Sequence, residues 1–88
     1  MKLEIDQEFL EICKKIVLEN KTQIEWAQIE SSDMFQTKNY NGGFDETEME
    51  FCFSYYNSDG KEFWFQLPLS KITDITKGIK IKLDLVEA

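Results

Sequence analysis

Three groupings in this 88-residue chain have residue types and spacings that chemistry could use. Asn57-Ser58-Asp59-Gly60 offers oxygen donors ahead of a glycine, as calcium loops do. Asp45, Glu46, Glu48 and Glu50 crowd four carboxylates into one short run, and Cys13 and Cys52 supply two thiols. An EF-hand loop needs oxygen ligands at positions 1, 3, 5 and 12 with Gly at 6. Setting Gly60 at position 6 puts Asn57 and Asp59 at 3 and 5, but it leaves Tyr55 at 1 and Gln66 at 12. The flanks alternate like strands, so a hairpin turn is the better reading.

The carboxylate run could do acid–base work, but no nucleophile or partner base accompanies it. By strand parity Glu48 and Glu50 share a face and could hold a hard cation weakly. The run also suits a solvated edge that resists sheet-to-sheet association, or a surface that steers a basic protein. The cysteines have no CxxC spacing and no His beside them, so they read as small apolar fillers. Asn39 to Phe44 carries two glycines but lacks the Gly-Lys-Ser/Thr of a phosphate loop. No catalytic, cofactor or metal site is expected, and the chain does not read as an enzyme.

The charged residues narrow the field further. There is no His and no Arg, and all ten cations are Lys. That removes the commonest general base and the bidentate clamp for phosphate or carboxylate. The formal net charge is −7. Residues 25–62 hold nine acids and two lysines, so that segment carries the whole imbalance. Nucleic acid would be repelled by it, whereas a basic protein would be attracted. No run of about 18 apolar residues suggests a membrane span. The N-terminus has acids spaced through it and no apolar h-region, so a cytoplasmic location is expected. Lys in place of Arg, with many Ile and Asn, suits an AT-rich genome of the bacterial or phage kind.

Positioning these residues falls to one domain spanning 1–88, which should bury roughly 60–65% of its unfolded surface. Its radius of gyration should be about 12 Å. Phe9, Ile12, Cys13, Ile16 and Val17 make one helical stripe, with Asp6 as N-cap and an end near Asn20. Ile5 and Leu10 take the positions of a hydrophobic staple, and Glu11 and Lys15 those of an i,i+4 pair. Ile24 and Trp26 alternate with polar residues, which predicts a strand over 22–30 with Trp26 in the core. Residues 31–47 show no sustained period and read as a long loop, with a short strand at 34–37 and a turn at Asn41-Gly42-Gly43. Residues 48–57 and 61–67 alternate strongly. Leu69, Ile72 and Ile75 suit a turn or two of helix before Gly78, and 79–86 alternate as a last strand. The expected fold is α+β: an N-terminal helix packed on one face of a four- to five-stranded, mainly antiparallel sheet with a central hairpin.

Parity sets the hairpin's register. Met49, Phe51, Phe53 and Tyr55 share a face, as do Phe63, Phe65 and Leu67. Opposed residues lie on one face, so their numbers must have an even sum. A three-residue Ser58-Asp59-Gly60 loop achieves this by pairing Asn57 with Lys61, and it wants a left-handed Gly where Gly60 stands. Tyr55 then faces Phe63, Phe53 faces Phe65, and Trp64 faces Ser54 on the opposite side. A disulfide between Cys13 in the core and Cys52 on that opposite side is disfavoured.

The candidate binding surface comprises Glu48, Glu50, Tyr56, Glu62 and Trp64, with Tyr40, Phe44, Asp45 and Glu46 from the loop. The expected function is a small acidic protein-binding domain that neutralises or regulates a basic partner. Toxin-neutralising immunity proteins are similar in this general character, and no family motif is matched. The alternatives are a carboxylate-based metal or small-molecule binder, and a structural homodimer.

Overall fold

The structure, a computed structural model, describes residues 2–29 and 35–88. The described residues are α+β, forming three helices, a five-stranded antiparallel sheet and a separate two-stranded one. Helix α1 spans Gln7–Glu19 and begins where its cap dictates: Asp6 accepts the Phe9 N–H at 2.8 Å. It ends at Asn20, in the left-handed conformation with φ 53°. Glu11 pairs with Lys14 at 3.6 Å rather than with Lys15. The apolar stripe faces inward, with Phe9, Ile12, Cys13 and Ile16 buried. Ile5 and Leu10 both pack against the core margin, as a staple would place them.

The segment read as a strand over 22–30 is instead a short helix, α2, Gln23–Ala27. Thr22 and Glu25 form a reciprocal capping box, which satisfies two orphan amide donors and favours the helical turn. Helical spacing separates the two apolar residues that strand parity would keep together: Trp26 is buried while Ile24 is 67% exposed.

The loop expected over 31–47 is largely strand in its described part. Strand β2, Phe35–Gln36, pairs with β3, Tyr40–Asp45, and β3 pairs with β4, Glu50–Tyr56. Met34, placed with the short strand at 34–37, lies outside the described residues. Asn41-Gly42-Gly43 is mid-strand, not a turn. A side chain at Gly42 would collide with the Cys52 carbonyl oxygen and stand 2.7 Å from Phe53 Cδ1. Glycine is therefore required by the close approach of β4, and Phe53 covers the gap.

Strand β5, Glu62–Leu67, completes the hairpin in the expected register: Tyr55–Phe63, Phe53–Phe65, Phe51–Leu67 and Ser54–Trp64 are opposed. The turn is built by Asn57. Its backbone pairs with the Lys61 carbonyl at 3.0 Å, and its side chain accepts from the Asp59 and Lys61 amides at 2.9 and 3.0 Å. Gly60 has φ 80°. β4 starts two residues later than expected, because 46–49 form the β3–β4 turn and Met49 takes φ 56°.

Helix α3, Leu69–Thr76, follows Pro68 and closes at Gly78 with Ile79 N–H donating to the Asp74 carbonyl at 3.1 Å. The expected last strand, 79–86, is two short ones in different sheets. β6, Lys82–Asp84, pairs with β1, Lys2–Glu4, and β7, Val86–Glu87, pairs with β5. Leu83 and Leu85 both point into the core, so the alternation was real although the pairing partner changes between them.

The five-stranded order is β2-β3-β4-β5-β7. Phe9 from α1 lands on its inner face, with ring centroids 5.0 Å from Phe53, 5.3 Å from Phe65 and 5.3 Å from Tyr40. The radius of gyration is 12.3 Å.

Two carboxylates bolt the start of α1 to the β2–β3 turn. Asp6 accepts the Tyr40 hydroxyl at 2.9 Å, and Glu8 accepts from the Thr37 hydroxyl, the Asn39 amide (2.8 Å) and the Asn39 side chain (2.9 Å). Desolvation pushes the Glu8 carboxyl up, but these hydrogen bonds outweigh it and hold the group below its ordinary value. A depressed carboxyl stabilises the fold above its unfolded value and loses that contribution as pH falls through its folded value. Glu8→Ala should therefore cost about 1–3 kcal/mol at neutral pH. The difference from wild type should shrink as pH falls below about 4, measured by urea unfolding across pH. Gly42→Ala should cost roughly 1–3 kcal/mol by overpacking, at all pH values tested.

Candidate functional site

The register gives the sheet two unlike sides. Tyr40, Phe51, Phe53, Phe63, Phe65 and Leu67 are buried on the inner one. The outer one carries Asp45, Glu50, Cys52, Ser54, Tyr56, Glu62, Trp64 and Gln66, whose side chains run from half-buried to exposed. Asn41 of β3 lies opposite Ser54 on this side, and Val86 of β7 lies opposite Trp64.

At its hairpin end a single carboxylate oxygen gathers three donors. Glu62 Oε2 accepts from Ser54 Oγ at 2.8 Å, Trp64 Nε1 at 3.0 Å and Tyr56 OH at 3.2 Å. The Trp64 N–H first, and then the Ser54 hydroxyl, hold the carboxyl below the ordinary carboxylate range. All three donors are neutral, so the charge of Glu62 is oriented but not cancelled. Trp64 is anchored by its N–H edge yet remains 54% exposed. Beside it Asn41, Cys52, Ser54 and Gln66 help line a shallow depression of about 290 Å³.

Toward the other end of β3 and β4, Asp45 caps the turn: its Oδ1 accepts the Thr47 amide at 2.9 Å. Cys52 Sγ lies 3.6 Å from Asp45 Oδ2 and accepts from Gln66 Nε2 at 3.0 Å. Burial raises the Cys52 thiol above its usual value, and it pushes the Cys13 thiol up to about 12. Neither is poised as a nucleophile at neutral pH. Both are free, Cys13 buried under α1 and Cys52 on the outer side of the sheet.

The structure brings Glu50, Tyr56, Glu62 and Trp64 to one side of the sheet, with Asp45 opposite Glu50. Glu46 and Glu48 are exposed in the adjoining turn, so Glu48 does not share a strand face with Glu50. Two expected members belong elsewhere. Tyr40 is fully buried on the inner face, where desolvation and the Asp6 carboxylate push its hydroxyl pKa far upward. Phe44 is half-buried on that same inner side, its ring 4.9 Å from Phe51. Both follow from β3 being a strand: its parity sends 40, 42 and 44 inward. The same parity sends Asn41 outward to the depression, a position that a loop reading cannot assign.

Among the described residues no three His, Cys, Asp or Glu side chains stand close enough to share a metal ion, and no helix is long and apolar enough to cross a membrane. Comparison with protein-family models, with curated proteins and with solved structures returns no match.

The two tryptophans report the two sides of the sheet. Trp26 is 2% exposed and Trp64 is 54% exposed. Trp64→Phe, which leaves only Trp26, should shift the fluorescence maximum to shorter wavelength and cut acrylamide quenching several-fold. Unchanged quenching would show that Trp64 is not the exposed one.

Proposed function

We propose that this chain is a small acidic cytoplasmic protein-binding domain whose outer sheet side engages a basic partner protein. The observation that carries the reading is Trp64: a large indole left half in solvent beside an uncancelled carboxylate. Trp and Tyr dominate the energetic centres of interfaces, and Trp64 and Tyr56 both bond to the same Glu62 oxygen. The charge distribution supports it, because the acid-rich segment 25–62 supplies β3, β4 and the first residue of β5. Such a field speeds encounter with basic surfaces and disfavours nucleic acid. Two free thiols suit a reducing compartment. A domain of this kind would neutralise or regulate its partner by covering it, as an immunity-type protein does, and needs no catalytic group.

Affinity capture with the tagged protein should retain a basic protein that elutes as salt rises toward 1 M, where screening acts within about 3 Å. Trp64→Ala combined with Glu62→Lys should weaken retention by about 30-fold or more, with circular dichroism unchanged. Undiminished retention by that folded double variant would remove the outer side as the binding surface.

A further inference from the structure

Resting on that reading, we infer that the Trp64–Glu62 pair is a receptor for an arginine side chain of the partner, the guanidinium lying on the indole and pairing with the free oxygen of Glu62. Three observations converge on this chemistry. First, the carboxylate is oriented without being neutralised. Oε2 takes three neutral donors, while Oε1 has no donor and Glu62 has no ion pair among the described residues. Lys61, its neighbour in sequence, is paired with Glu87 at 3.7 Å instead. Second, the indole is held in place by its N–H edge while Trp64 as a whole remains 54% exposed. Ring faces attract cations, most strongly for Trp. The molecule's other tryptophan already has a cation over it: Lys21 Nζ lies 5.3 Å from the Trp26 ring centroid. Trp64 has none among the described residues. Third, the neighbouring depression offers amide groups, Asn41 and Gln66, around about 290 Å³ of space. That is room for a planar group with several N–H donors.

Arginine fits this set better than lysine. Its fork can bond the free carboxylate oxygen while its plane stacks on the indole, and its weaker hydration lowers the cost of contact. An ammonium is a point charge and satisfies one partner or the other. The depressed Glu62 carboxyl keeps the anion ionised below the usual carboxylate range.

The test is a titration of the ¹⁵N-labelled protein with two heptapeptides, Gly-Arg-Gly-Arg-Gly-Arg-Gly and its all-lysine counterpart, at low salt. The arginine peptide should shift the Trp64 indole N–H and the Ser54 and Gln66 amides saturably, and bind about threefold or more tighter than the lysine peptide. Trp64→Ala should erase that preference, and Glu62→Gln should weaken the arginine peptide several-fold. Equal affinity for both peptides, or shifts confined to the Asp45–Glu50 turn, would overturn the arginine assignment and leave a generic acidic docking side standing. No saturable shift with either peptide would overturn both.

Discussion

The arrangement of this molecule hangs on one pairing, Asn57 opposite Lys61, because side chains on a strand alternate sides with a period of two. The Asn57 side chain holds the turn by accepting two amides, and Gly60 supplies the left-handed step the three-residue loop needs. From that point each even-sum pair falls into place. Phe53 meets Phe65 and Ser54 meets Trp64. A slip of one residue on β5 would turn Phe63 and Phe65 out to water and Glu62 and Trp64 into the core. Losing two buried phenylalanines at roughly 1.5–3 kcal/mol each, and desolvating a carboxylate besides, rules the slip out energetically.

Helix α1 depends on this pattern and reinforces it. Phe9 can settle edge-on against Phe53 and Phe65 only because both rings face the same way. The helix's first acids then serve two purposes. Asp6 caps the helix through one oxygen and holds Tyr40 through the other. Glu8 receives the β2–β3 turn through Thr37 and Asn39. Local capping and long-range docking thus use the same carboxylates, and the strand they reach, β3, is the one that adds Asn41 and Asp45 to the outer side.

Features set by neighbours in sequence were legible before the structure. The α1 stripe, its Asp6 cap, the hairpin register and the turn of helix before Gly78 all come from spacings within one element or one turn. α2 was misread because Ile24 and Trp26 are too few to separate a period of two from one of 3.6. The Thr22-x-x-Glu25 capping box was the signal that could have decided it. β3 was missed for a different reason: Gly42 and Gly43 look like a turn, and only the closeness of the Cys52 carbonyl explains a glycine there. The error propagated to the site. Without β3's parity, Tyr40 and Phe44 look like loop residues available to a partner, and Asn41 goes unnoticed. The β1–β6 ladder joins chain segments far apart in sequence and leaves no local mark.

Separation of sides is what leaves one face of so small a sheet free for the proposed binding surface. The inner side is saturated with aromatic packing, so the outer side need contribute little to the core and can keep Trp64 and an uncompensated Glu62. The most direct test is a nuclear Overhauser experiment on the hairpin's α-protons. In an antiparallel ladder the α-protons of non-hydrogen-bonded pairs lie close together. The register described here predicts strong contacts between Ser54 and Trp64 and between Cys52 and Gln66. Contacts between Ser54 and Phe65, or between Phe53 and Gln66, would contradict it and with it the division into a buried core side and an exposed outer side.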